Sequence, residues 1–352
     1  MMNKKKFSAL VLAGTMLLSM GTTVFAADGT SPDVNDRGTV PITKDFEMAD
    51  GLKTPATTFK FRAESKTPDA LKATIANVSY TEGETGTLKD GKYVLTKNTA
   101  ISFEGQWKHA GEYVYTVTEV EEATGTNVTY DKTTYTVRVY VINGTKGLEI
   151  EKITAADGKG DKVGKIVFTN QYTKNDASLT IEKNTEGKQA DKTKKFAFTI
   201  TFTKSPMSEQ ETFTGKLGDT PVSCTAGQPY TFWLADKEQL VFTGLPVGTT
   251  YVVTETGVKG DNYTPSVTVI ENNTTTVDKF KGNEADDLSS FNQGKNNLVG
   301  ENTNKVTFTN TYKDVAITGI VVNNLPFILL IVVAVVAFAA LAVMKKRRIS
   351  ER

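Results

Sequence analysis

The feature that most constrains this chain is that it repeats itself. "VPITK" ends at Lys44 and "SLTIEK" at Lys183. "YTVTE" ends at Glu119 and "YVVTE" at Glu255, and "IVFTN" and "VTFTN" end at Asn170 and Asn310. Lys to Glu spans 75 residues (44 to 119) and 72 residues (183 to 255), and Lys to Asn spans 126 (44 to 170) and 127 (183 to 310). A period of that size, kept through strand-like words, means two copies of one domain rather than a solenoid of short repeats. The repeat also holds an oddity. Asn is a poor strand residue, because its side chain competes for backbone hydrogen bonds, yet it closes the last strand-like segment of both copies.

The body between the termini reads as all-β. "EYVYTVTEV" (112–120), "TTYTVRVYVI" (133–142), "FAFTITFTK" (196–204) and "TYVVTETGV" (250–258) are rich in Val, Thr, Tyr and Phe and alternate in polarity. Clusters of Gly, Asn, Asp and Pro separate them, as in antiparallel sandwiches. The expectation is two tandem immunoglobulin-like β-sandwiches over 27–172 and 173–314, meeting in the polar stretch "QYTKNDAS" (171–178).

The two ends set the compartment. Residues 1–26 carry Lys4, Lys5 and Lys6, a short apolar run and small residues before a cleavage point after Ala26, the pattern of a secretory signal. Residues 315–352 form a tail whose stretch Leu325 to Met344 is apolar and long enough to cross a bilayer, followed by "KKRR" at 345–348. The chain is therefore expected to be exported and held in the membrane by its C-terminus. With both basic ends set aside, 33 Lys and Arg face 39 Asp and Glu, a net charge of −6. That balance excludes a nucleic-acid binder, which needs a basic stripe. A single cysteine, Cys224, allows no internal disulfide, and with the one histidine, His109, it supplies neither a metal cluster nor a nucleophilic dyad. No cofactor is implied. "CTAGQ" (224–228) raises a Cys–Gln thioester, as in a thioester adhesin.

The repeated Lys, Glu and Asn have a chemical reading. If the first and last strands of each copy are neighbours, a buried Lys amine can meet the Asn carboxamide. Burial lowers the pKa of Lys and raises that of Glu, so a neutral amine and a protonated acid can coexist. The amine can then attack the amide carbon while the Glu hydrogen-bonds the carbonyl and moves the proton as ammonia leaves. The product is a Lys–Asn isopeptide bond that the domain makes on itself.

At these residues the chain resembles the backbone (major) pilins of Gram-positive bacteria that are built from pilin isopeptide-linkage domains. The resemblance runs over nearly the whole chain, and "FTGLPVGTTYVVTE" (242–255) is especially similar to the second domain of that family. It implies bonds Lys44–Asn170, assisted by Glu119, and Lys183–Asn310, assisted by Glu255. It also implies head-to-tail joining by a sortase, a membrane transpeptidase that cuts between Thr and Gly and transfers the Thr carbonyl to a Lys of the next subunit. "VAITG" (315–319), with Thr318 and Gly319, has the expected position, although Ala316 stands where Pro is usual, and "LPFIL" (325–329) lacks the Thr-Gly pair. The acceptor implied is Lys162, with Lys165 as its alternative and Lys159 nearby. Such a chain would be a structural shaft subunit, not an enzyme beyond its own cross-linking. Its partners would be identical subunits, the sortase, accessory pilins and peptidoglycan, and its location a pilus on the cell surface. The competing expectation is a wall-anchored adhesin or a minor pilin at the tip or base. Such a protein needs the sorting motif but no acceptor Lys.

Overall fold

The computed structural model describes residues 39–122, 127–257, 260–291, 294–313 and 325–350. The first unit is two facing sheets. One runs, strand by strand, Lys72–Ile75, Lys92–Glu104, Thr39–Ala49, Ile166–Tyr172 and Val128–Thr129, with Thr87–Lys89 also on the second strand. The other runs Lys162–Val163, Gly147–Ala156, Thr134–Gly144, Gly111–Val120, Thr57–Ser65 and Val78–Tyr80. Alternation builds the core between them. Val40, Ile42, Phe46 and Met48 of the opening strand all point inward and are essentially unexposed, as period-2 geometry demands.

The second unit repeats the plan. Its larger sheet runs Thr220–Thr225, Thr212–Leu217, Gln239–Leu245, Ala177–Glu186, Lys305–Tyr312, Tyr263–Glu271 and Thr274–Lys281. The facing sheet runs Tyr230–Leu234, Phe196–Thr203, Thr250–Glu255 and Leu288–Ser289, with Asn297–Leu298 also paired to Thr250–Glu255. The strand expected over 250–258 stops at Glu255. Beyond it the N–H of Gly257 turns to the Asp287 carboxylate at 2.9 Å instead of a neighbouring strand.

In both units the opening and closing strands lie side by side and parallel, and in the same register. Lys44 pairs with Phe168 and Phe46 with Asn170; Lys183 pairs with Phe308 and Thr185 with Asn310. The parallel sense has a consequence for the whole chain. In the first unit both strands run toward the segment 173–176, and in the second both run away from it. Tyr312 thus ends its strand at the pole of the second unit remote from the first. Between the units, Gly248 approaches so closely that a Cβ on it would stand 2.6 Å from Ala49 Cβ, at a φ of +88°, a conformation that glycine adopts without strain. The Glu301 carboxylate accepts from the Lys53 N–H at 3.0 Å and from Lys174 Nζ at 2.8 Å across the same junction.

One helix, Leu325–Ser350, follows, and Phe327–Lys345 within it is long and apolar enough to cross a membrane. "LPFIL" opens this helix, with Pro326 in the first turn, where a missing N–H costs nothing. The signal at 1–26 and the Thr318–Gly319 pair lie outside the described residues.

Candidate functional site

Each sandwich core buries a lysine, a glutamate and an asparagine together. The pattern of alternation that turns Phe46 and Met48 inward also turns Lys44 inward, and Lys44, Asn170, Lys183 and Asn310 are all fully buried. Glu119 and Glu255 reach them from the centre of the opposite sheet, at the ends of Gly111–Val120 and Thr250–Glu255. In the first unit Glu119 Oε1 stands 3.2 Å from Lys44 Nζ and accepts from Asn170 Nδ2 at 2.9 Å. In the second unit Glu255 Oε1 accepts from Lys183 Nζ at 2.9 Å and from Asn310 Nδ2 at 2.7 Å. One carboxylate oxygen thus touches both nitrogens, while Oε2 of each glutamate is buried without a partner.

Burial dominates the electrostatics. It pulls both Lys44 and Lys183 down from 10.5 to about 8, against the opposing pull of their glutamates. It also pushes Glu119 and Glu255 up, against the lysines and asparagines that favour the carboxylate. Desolvation works against charge on both members of each pair, so the neutral amine and the protonated acid gain on the ion pair. An aromatic ring lies against each amine, with Lys44 Nζ 4.5 Å from the Phe59 ring centre and Lys183 Nζ 4.2 Å from that of Phe196, and Lys44 Nζ also donates to the Phe168 carbonyl at 3.3 Å.

The arrangement is competent for acyl transfer within the protein. A neutral Nζ is a nucleophile, the carboxamide carbon is its electrophile, and the carboxyl oxygen between the nitrogens can take a proton from one and give it to the other. Here the geometry differs from the sequence expectation in one respect. The glutamate contacts the amide nitrogen, not the carbonyl. The carbonyl of Asn170 instead accepts the backbone N–H of Asp131 at 2.9 Å, and Asn310 Oδ1 is buried with no partner.

Sequence reasoning missed Asp131 and also Asp236. The Asp131 carboxylate accepts the N–H groups of Thr133 and Thr169 at 2.8 Å each; that of Asp236 accepts the N–H of Thr185 at 2.6 Å. Asp131 follows the glutamate in the chain, whereas Asp236 precedes it, so no fourth matched position betrays them.

Lys162 and Lys165 are exposed, and Lys162 begins the two-residue edge strand Lys162–Val163. It lies four residues before the closing strand of the first unit, hence at the pole of that unit away from the second. Cys224 is a core residue whose thiol burial pushes up to about 11, and Gln228 is exposed, so "CTAGQ" brings no thioester pair together. His109 is exposed. Among the described residues no cluster of His, Cys, Asp and Glu is suited to a metal.

Residues 40–173 match the family described as the Spy0128-like isopeptide containing domain. Residues 177–312 match a domain of unknown function, DUF7601. A protein described as a pilin from Streptococcus pyogenes serotype M1 is 29% identical over 350 residues, covering 94% of this chain and 96% of that protein. Among solved structures, the major pilin from Streptococcus pyogenes is 25% identical with a TM-score of 0.36, over 79% of this chain and 99% of that one. A pilus-presented adhesin, in a variant form, is 22% identical with a TM-score of 0.29, over 51% of this chain and 37% of that one.

Proposed function

We propose that this chain, a Gram-positive pilin with pilin isopeptide domains, is the shaft subunit of a covalent surface pilus. Each sandwich closes its own bond, Lys44–Asn170 and Lys183–Asn310. In each, the lysine Nζ lone pair attacks the asparagine Cγ and a C–N bond forms. The proton given up by Nζ passes through Glu119 or Glu255 to Nδ2, the old C–N bond breaks, and ammonia leaves. Holding the reactants in a folded core supplies much of the rate. The glutamate returns to its starting state, so each domain turns over once and the chain is otherwise structural.

The observation that carries the reading is the twin geometry: one buried carboxylate oxygen bridging an amine and a carboxamide, twice, at identical register on the opening and closing strands. A cross-link there closes a loop of more than 100 residues, which by chain entropy stabilises the fold by about 5 kcal/mol. In a chain with one cysteine it does what disulfides do elsewhere.

Subunits then join head to tail. A sortase cuts between Thr318 and Gly319 and passes the Thr318 carbonyl to Lys162 of the next copy, with Lys165 as the alternative acceptor. The opposite poles of Lys162 and of the end of the closing strand at Tyr312 support such a line of copies. The apolar helix Leu325–Ser350 suits a membrane anchor held until that cut, and the product is a fibre on the cell surface. Accessory pilins and peptidoglycan are the further partners of this assembly.

The deciding experiment is the intact mass of residues 27–314. The expected mass falls short of the sequence mass by two ammonias, and Glu119→Ala and Glu255→Ala each restore one. A full-length mass from well-folded protein would sink the cross-link reading and leave polymerisation to the tail alone.

A further inference from the structure

The two carboxamides are held differently, and the difference points to a residue that the Lys, Glu and Asn pattern does not contain. When an amine attacks a carboxamide, negative charge develops on the carbonyl oxygen, and donors aimed at that oxygen lower the barrier. In the first unit Asn170 Oδ1 already accepts a hydrogen bond, from the backbone N–H of Asp131. That contact also fixes the amide so that its nitrogen faces Glu119. In the second unit Asn310 Oδ1 is buried without a donor. The residue opposite it on the neighbouring strand is Pro265, which has no N–H to offer. The void beside Glu255, Pro265 and Asn310 has no room for a water.

On the other flank the register partner of Asn310 is Thr185. Thr185 is 1% exposed, and its hydroxyl oxygen is buried with no partner either. Directly paired residues on adjacent strands project to the same face about 5 Å apart. Two unsatisfied groups, a hydroxyl and a carbonyl, thus sit side by side in a dry core, and one hydrogen bond would satisfy both. To make it, the Thr185 hydroxyl would turn about the Cα–Cβ bond toward the Asn310 carbonyl. In the first unit the same position is Phe46, which has no donor, and there Asp131 serves.

We propose that the Thr185 hydroxyl is the oxyanion donor for the Lys183–Asn310 cross-link, replacing the backbone N–H that serves Asn170. This rests on the cross-link reading above and deepens it. As Lys183 Nζ adds to Asn310 Cγ, the carbonyl electron pair moves onto Oδ1, where the hydroxyl hydrogen bond holds it. The pair returns as the bond to Nδ2 breaks and ammonia departs with the proton carried by Glu255. Thr185 gives up no proton and ends as it began. Its backbone is pinned for the task, with its N–H held by the Asp236 carboxylate and its carbonyl by Lys192 Nζ.

The test is a pulse-labelled cell-free synthesis of the full chain, following the Lys183–Asn310 cross-linked peptide by mass spectrometry with the Lys44–Asn170 peptide as internal clock. Thr185→Val keeps the shape of the side chain and removes the donor. It should slow the second bond about 100-fold and leave the first on time, and Thr185→Ser should restore the wild-type rate. In a Lys183→Ala background, where no second bond can form, Thr185→Val should still fold with a cooperative melt, because valine keeps the shape of the side chain and the change removes one hydroxyl alone, so a slower bond is not the work of a damaged core. A second bond at the wild-type rate in Thr185→Val, or Thr185→Ser as slow as Thr185→Val, would overturn the assignment. Absence of both bonds from the wild-type chain would instead overturn the cross-link reading, and the role of Thr185 with it.

Discussion

The two sandwiches set the same three side chains in one register, yet they differ in what a cross-link would do for the fibre. Suppose tension enters at Lys162 and leaves through Thr318. In the first unit it runs from Lys162 along Ile166–Tyr172 and out, through backbone that is continuous whatever Lys44 does. In the second unit the chain enters by Ala177–Glu186 and leaves by Lys305–Tyr312. A bond between Lys183 and Asn310 carries the load across and shields everything from Asn184 to Thr309. The second bond would thus be a mechanical strut. The first would hold the body of its domain to a strand whose outer neighbour, among the described residues, is the two-residue strand Val128–Thr129. The closing strand of the second unit has the full-length neighbour Tyr263–Glu271 there.

Single-molecule pulling between Lys162 and the C-terminal end would break this comparison most decisively. Asn310→Ala should release the segment 184–309 on unfolding, an added contour of roughly 400 Å at about 3.3–3.6 Å per residue. The wild type and Asn170→Ala should show no such step. An equal step in Asn170→Ala would mean that load reaches the first sandwich by another route, and would remove Lys162 as the point of entry.

The pH response should instead be alike in both units, since burial lowers both lysines from 10.5 to about 8. In Asn170→Ala and Asn310→Ala chains, which cannot cross-link, the folded state holds its lysine less protonated than the unfolded state between about pH 8 and 10.5. Unfolding then takes up a proton, so stability rises with pH across that window and the burial penalty is fully felt below it. By the conversion of about 1.4 kcal/mol per pKa unit the rise is at most about 3.5 kcal/mol per site. Glu119 and Glu255, raised above 4.5, act oppositely at lower pH, where stability falls as the pH climbs through their range. Denaturant melts across pH 7.5 to 10.5 check this, with Lys44→Met or Lys183→Met added as a background that should erase the rise. A flat curve from one unit alone would show that its lysine reaches water.

Much of this was legible in the letters because the chain repeats them. Lys44, Glu119 and Asn170 are unremarkable singly, and only their recurrence at Lys183, Glu255 and Asn310 separates chemistry from chance. The long strands were legible too, since their alternation is strong: Gly111–Val120 and Phe196–Thr203 fall within a residue of expectation. What escaped depends on three-dimensional register or on backbone groups. Strands of two or three residues, such as Val128–Thr129 and Thr87–Lys89, have no period to detect. Asp131 acts through a main-chain N–H that any residue possesses, and Thr185 matters only because the parallel pairing sets it beside Asn310.

Asp131 therefore offers the finest probe of the difference between the units. Its carboxylate clamps the N–H of Thr133 in its own turn and the N–H of Thr169, the residue before Asn170. Both ends of the contact between its N–H and Asn170 Oδ1 are thereby held in place. Asp131→Ala keeps the N–H but loosens its aim, so the loss should be smaller than deleting a donor outright, about tenfold on the rate of the first bond against the 10²–10³ of a missing oxyanion contact. The second bond, which does not use Asp131, should form on time. Asp131→Asn, able to accept only one of the two N–H groups at its remaining carbonyl, should fall between. The same peptide clock reads both rates in one sample, and a first bond unchanged in Asp131→Ala would show that the strands alone aim the Asn170 carboxamide.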